Sequence, residues 1–173
     1  MVLSLVLGTA EVGCAKAFYS KQEALAAAFT TADAVETKTF FLTDEQVQRI
    51  AALATAPVDS KLVTIYIGRK NDQVLGYAFL ETNLVRTLPE TFLVVVSPAG
   101  AIQKLLVLAF YEPEEYMPSE RWLQQFDQQT LKLDLQLRQR IHGIVGSTLT
   151  SRAVTNGVRK VLALFQVLVQ ESQ

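Results

Sequence analysis

The chain has 173 residues, half of them hydrophobic and 19% charged, and sixteen Lys and Arg against seventeen Asp and Glu leave a net charge of -1. This is the size of one domain, with enough apolar material for a core; it argues against disorder and against a basic surface for nucleic acid. One Cys and one His exclude an internal disulfide and leave little from which to build a protein-only zinc site or a Cys–His nucleophilic pair.

Met1 to Gly13 is mostly apolar and small and is followed by Cys14-Ala15-Lys16-Ala17, which fits the small-residue rule for signal cleavage before Phe18. No basic residue precedes the run and Glu11 interrupts it, so a buried N-terminal strand or helix is the competing reading. Glu11 stands where a lipoprotein signal needs an aliphatic residue, which argues against a lipid anchor on Cys14. The expectation is a signal segment over 1–17, export to the periplasm or an equivalent compartment, and a single domain over 18–173. No other stretch approaches the ~20 apolar residues that span a bilayer.

Tyr19 to Phe29 predicts a helix with Ser20 as N-cap and Glu23 completing a capping box. Thr43-Asp44-Glu45-Gln46 opens a second, with Val47, Ile50, Ala51 and Ala54 at helical spacing and Ala56-Pro57 at its end. Strands follow. Lys61 to Gly68 alternates, Lys70-Asn71-Asp72 turns, and Val74 to Glu81 returns as the second arm of a hairpin. Thr91 to Val96 and Ile102 to Phe110 are two more, joined by Ser97-Pro98-Ala99-Gly100. Ser119 to Phe126 predicts a short helix that puts Trp122 and Phe126 in the core; Leu131 to Arg140 is polar and apolar by turns, and its element is left open. Thr148 to Gln170 predicts a long amphipathic helix with a buried stripe of Val154, Val158, Val161, Leu162, Phe165 and Leu168. The fold class expected is α+β: a central antiparallel sheet, flanking helices and a long C-terminal helix.

The segment Gly146-Ser147-Thr148-Leu149-Thr150-Ser151 begins that last helix. Gly146 permits a sharp turn and close approach of a ligand, Ser147, Thr148, Thr150 and Ser151 offer hydroxyls, and the first helical turn offers N–H groups and the positive end of the dipole. The combination suits an anion such as phosphate. Read by themselves, the same residues are explained first as plain helix caps.

Gly146 to Arg159 (GSTLTSRAVTNGVR) resembles the C-terminal signature of FMN-binding domains. That family includes the C subunit of the sodium-pumping NADH:quinone reductase, the G subunit of a related membrane electron-transport complex, and stand-alone exported proteins. The resemblance extends back through Leu75-Gly76-Tyr77, Arg86 to Val96, and Leu108 to Phe126, and Phe40 to Gln46 resembles the exported members. It implies a flavoprotein, a redox carrier in electron transport rather than an enzyme with its own substrate, working with membrane electron-transfer proteins of a redox complex.

In the family a Thr near the helix start is esterified to the FMN phosphate by a separate flavin transferase, within a pattern of an acidic residue, two others, Ser or Thr, then Gly-Ala-Thr. Its Thr falls on Thr148 and its Gly on Gly146; His142, Val145 and Ser147 depart from it. The resemblance thus implies FMN at Gly146, Ser147, Thr148, Leu149 and Thr150, either covalent through Thr148 or held without a bond, with an empty pocket as the remaining alternative. Glu112 falls where the family has a Glu-containing loop over the flavin. Tyr116 is a candidate to stack on the ring system, and Thr87 in Thr87-Leu88-Pro89 to reach the cofactor from a turn between strands. Each competes with a plainer reading, as loop charge, packing aromatic and simple turn. No metal site and no catalytic residue are expected. The alternative function is a sensory or scaffolding module with weak flavin binding or none.

Overall fold

The computed structural model describes residues 16–171. The elements in chain order are β1 (Lys16–Ala17), α1 (Lys21–Ala28), β2 (Ala34–Phe41), α2 (Asp44–Ala54), β3 (Leu62–Lys70), β4 (Gln73–Val85), β5 (Leu88–Val96), β6 (Ile102–Phe110), α3 (Glu120–Leu123) and α4 (Thr148–Phe165), which continues as a π-helical turn over Gln166–Gln170. The signal segment expected over 1–17 lies outside the described residues except for Lys16 and Ala17, which pair with Phe110 and Ala109 of β6.

The strands form one antiparallel sheet in the order β1-β6-β5-β4-β3-β2. Chain neighbours from β2 to β6 are sheet neighbours; short turns join β3 to β4, β4 to β5 and β5 to β6, and the connection from β2 to β3 carries α2. The α+β class and the long C-terminal helix are as expected. So are the capping boxes at Ser20/Glu23 and Thr43/Gln46, which fix the starts of α1 and α2. The sheet differs from the expectation at several places. β1 and β2 are added strands, β4 runs four residues beyond Glu81, carrying Asn83 to Val85 alongside β5, and β5 begins at Leu88, so that Leu88 and Pro89 belong to the strand.

Alternation along the strands divides the core. Ile65, Ile67, Tyr77, Phe79, Phe92, Val94 and Val96 face α2, α3 and α4, where Trp122, Phe126, Val154, Val158, Val161, Leu162, Phe165 and Leu168 meet them. Tyr66, Ala78, Leu93, Val95 and Leu108 face the other way, toward Ala24 and Phe29. The stripe and the two aromatics expected in the core are all buried. The segment Leu131 to Arg140 has no regular element, yet it packs: Leu135 is fully buried and Arg140 binds Asp134.

Candidate functional site

The start of α4 differs from the other helix starts. Ser20, Thr43 and Ser119 each accept a hydrogen bond from their own helix. Ser147, the N-cap of α4, makes no such bond, and the first turn of α4 contains no acidic residue. The Ser147 hydroxyl instead donates to the Tyr116 carbonyl at 3.0 Å. Ser151 Oγ accepts from the Ile144 N–H and donates to the Ser147 carbonyl, both at 2.9 Å. Ser147 and Ser151 spend their hydroxyls closing the loop before the helix, and Thr148 and Thr150 remain on the helix start. Gly146 sits at φ +79, with no atom within 4 Å of where a Cβ would stand, so the chain turns there beside open space.

That space is a depression of about 160 Å³ lined by Val85, Arg86, Glu112, Tyr116 and the segment Gly146 to Thr150. Seven of the eight residues singled out from the sequence converge on it. Thr87, the eighth, is exposed in the β4–β5 turn and does not line it. Its neighbour Arg86 does, held at φ +54 by that tight turn. Arg86 Nη1 lies 3.5 Å from Glu112 Oε2, and its guanidinium carbon is 6.0 Å from the Tyr116 ring centroid. The Glu112 side chain is 3% exposed and the Arg86 side chain 62%, so one partner is fixed and the other can move. Sequence reasoning missed Arg86 because a charged residue beside a turn ordinarily reads as solvated. Its place at the head of the family-like stretch Arg86 to Val96, one residue before Thr87, was the signal that could have flagged it.

A groove of about 510 Å³ shares Val85, Arg86 and Leu149 with the depression. It runs between β4 and one side of α4, where Leu149, Arg152, Ala153, Asn156, Gly157 and Lys160 recur at helical spacing. Its volume is within the ~300–1,000 Å³ of ligand pockets. An uncapped helix start, a mobile guanidinium and a groove leading away suit a phosphate joined to a larger organic group.

The strip of sheet under α4 is polar. Lys160 Nζ lies 2.6 Å from Glu81 Oε1 and 3.3 Å from Asp59 Oδ2. Burial pushes the Glu81 carboxyl up, and Lys160 pulls against it. Burial pulls the Lys160 ammonium down, but Glu81 and Asp59 outweigh it and leave it above the usual lysine range. Farther along, Glu90 is fully buried, and neither of its oxygens has a partner among the described residues. Asn83, directly opposite it in the β4–β5 register, also has an unpartnered amide nitrogen.

No family model matches the chain. The chain is 28% identical over 141 residues to the G subunit of the sodium-translocating ferredoxin:NAD(+) oxidoreductase complex of Acetobacterium woodii, a match covering 72% of this chain and 65% of that protein. The chain thus spans just under two thirds of the length of the curated relative it matches. Its fold matches the crystal structure of Shewanella oneidensis NqrC with a TM-score of 0.59, covering 88% of this chain and 89% of that one, at 12% identity. The sequence match is to a G subunit and the fold match to an NqrC, the two kinds of subunit that the signature at Gly146 to Arg159 resembles.

Proposed function

We propose that this chain is an FMN-carrying electron-transfer component of a membrane redox complex, with the flavin phosphate in the depression at the start of α4. The observation that carries the reading is the uncapped first turn of α4, opening beside Arg86 and Gly146 onto a groove large enough for an organic group. The resemblance to a subunit of an oxidoreductase complex supplies the redox context. Bound there, FMN supplies one- and two-electron transfer. The chain does the rest. The free N–H groups of Thr148, Leu149 and Thr150 hold the phosphate. Arg86 turns from Glu112 toward the added anion, and the walls of β4 and α4 orient the attached ring system along the groove.

Export, with processing after Ala17, belongs to the same proposal and rests on Ala15-Lys16-Ala17 closing an apolar run. Thr148 is exposed at the first position of α4, which leaves its hydroxyl open to a flavin transferase. His142 and Val145, which depart from the family pattern, are also exposed, Val145 at 98%. A transferase would meet both side chains, which favours loading without a bond as the second reading.

Thr148→Val tests the site because it keeps the β-branched shape and removes the hydroxyl. Where the link is covalent, wild type from a host with the transferase keeps its flavin through denaturation and the variant loses it. Where it is not, both lose flavin, and the variant binds FMN more weakly by about 0.5–3 kcal/mol, the range for a hydrogen bond including those to charged groups. A variant that binds as tightly as wild type and retains flavin equally would place the site elsewhere. A wild-type protein that takes up no FMN under either condition would leave the sensory or scaffolding alternative.

A further inference from the structure

Glu90 is a buried carboxyl group that the proposed electron-transfer role does not use. It lies on the face of the sheet that α4 covers. Its register partner there is Asn83, whose amide contacts the Gly157 position of α4. In the other direction it pairs with Phe110 of β6, two residues before Glu112. Glu90 is 0% exposed, and both of its oxygens lack hydrogen-bond partners among the described residues. Ionised, it would be a bare charge out of water beside a second carboxylate. Burial first, and the Glu112 charge second, push its carboxyl up to about 8.

We propose that Glu90 takes up a proton when an anion enters the depression, so that phosphate binding at the start of α4 is coupled to protonation beneath it. This rests on reading the depression as a phosphate site. A phosphate monoester brings a charge of about -1.5 to -2 at pH 7. It enters on the side of Glu112 and competes for Arg86, at present 3.5 Å from that carboxylate. Drawing Arg86 away strips Glu112 of its counter-charge, and the phosphate adds its own field. Both changes raise the proton affinity of Glu90. By linkage the affinity for phosphate then falls as pH rises through the range where Glu90 ionises in the free protein.

The other charged groups around Glu90 do not supply this coupling. On β4, Glu81 is held by Lys160, with Asp59 beyond. Above the strip, Val154, Gly157 and Val158 of α4 carry no charge. Arg159 points the opposite way, into main-chain carbonyls. Arg86, Glu112 and Tyr116 are the charged or titratable groups that line the depression itself. The second ionisation of a phosphate ester, at about 6, is complete before the window in question opens.

The test uses the full chain made without a flavin transferase. Inorganic phosphate and FMN are titrated calorimetrically at about pH 7 to 9.5, in buffers of different ionisation enthalpy. Wild type should take up protons on binding, most strongly a little above about pH 8, with affinity falling toward the limit of about tenfold per pH unit. Glu90→Gln should bind both ligands with no uptake and a flat profile. Wild type alone gives a second readout, for use if the variant fails to fold. Its infrared band from a buried protonated carboxyl should fade as pH rises past about 8 and return when phosphate is added. Phosphate or FMN binding without proton uptake, or uptake that survives in Glu90→Gln, overturns the coupling and leaves the flavin site standing. Failure of both ligands to bind overturns the coupling; the flavin site falls with it where protein from a host with the transferase also carries no flavin.

Discussion

Arg159 is 1% exposed, yet its guanidinium donates four hydrogen bonds, all to main-chain carbonyls. Nε reaches Ala54 at 2.9 Å, Nη2 reaches Leu53 at 3.0 Å, and Nη1 reaches Lys132 at 2.8 Å and Leu135 at 3.1 Å. The first two acceptors close the C-terminal end of α2, where the helix dipole favours a cation. The other two hold the irregular segment after α3. One side chain therefore joins α4, α2 and a loop that has no ladder of its own, which explains why Leu131 to Arg140, polar and apolar by turns, is ordered without joining the sheet. Arg159→Leu should lower stability by about 3 kcal/mol or more, since four charge-assisted bonds are lost and the Ala54 and Leu135 carbonyls stay buried. Arg159→Lys should recover little, because an ammonium cannot span four carbonyls on two elements. Urea midpoints of the two variants decide the point; an Arg159→Leu midpoint within error of wild type would show the bonds to be incidental.

Among elements, the close approach of α4 to β4 sets the shape of the groove, and Gly157 permits it. A Cβ at that position would meet Asn83 Nδ2 at 2.8 Å and Glu81 Cγ at 2.9 Å. Alanine would gain about 1 kcal/mol of helix propensity. Overpacking costs about 1–3 kcal/mol, and Glu81 cannot give way freely because Lys160 holds its carboxylate at 2.6 Å. Gly157→Ala should therefore destabilise, and should weaken FMN binding by shifting one wall of the groove. A more stable variant with unchanged FMN affinity would show that the strip yields without cost.

The elements best read from sequence are those whose burial is one-sided. β3, β5 and β6 alternate against two different cores, and α4 keeps its stripe along its whole length. β2 escaped notice because it is an edge strand with almost no buried face; its AVETKTFF carries the charge and Thr typical of a protected edge. The far end of β4 escaped because the apolar run gives way to polar residues at Glu81, Thr82 and Asn83, so the expected strand stops at Glu81, although Glu81 is buried against Lys160. The site was legible where glycine and hydroxyls precede an apolar stripe. It was not legible at Arg86, whose place is set by the β4–β5 turn, or at Glu90, whose burial is set by cross-strand register.

At the scale of the whole molecule, the candidate site lies at the margin of the core and not within it. The apolar side chains between the sheet and α2, α3 and α4 form one continuous cluster, and Ala24 and Phe29 close a second on the other face. Of the residues lining the depression, Val85 alone is a buried apolar one, and it belongs to neither cluster. Removing a ligand there would take no contact from either core. The apo protein should therefore unfold in a single cooperative transition, as expected of a domain of this size. Ligand should add only the mass-action increment, about 2.7 kcal/mol at a hundredfold excess over Kd. For a chain of this length that corresponds to a rise in Tm of about 5–10 °C. The increment should vanish in any variant that abolishes binding, while the apo transition keeps its position, because different residues hold the ligand and the core. Calorimetric scans of apo and FMN-saturated protein measure both quantities. An apo form with no cooperative transition would mean that the flavin completes the fold, and α4 would then owe its place on the sheet to the ligand at its first turn.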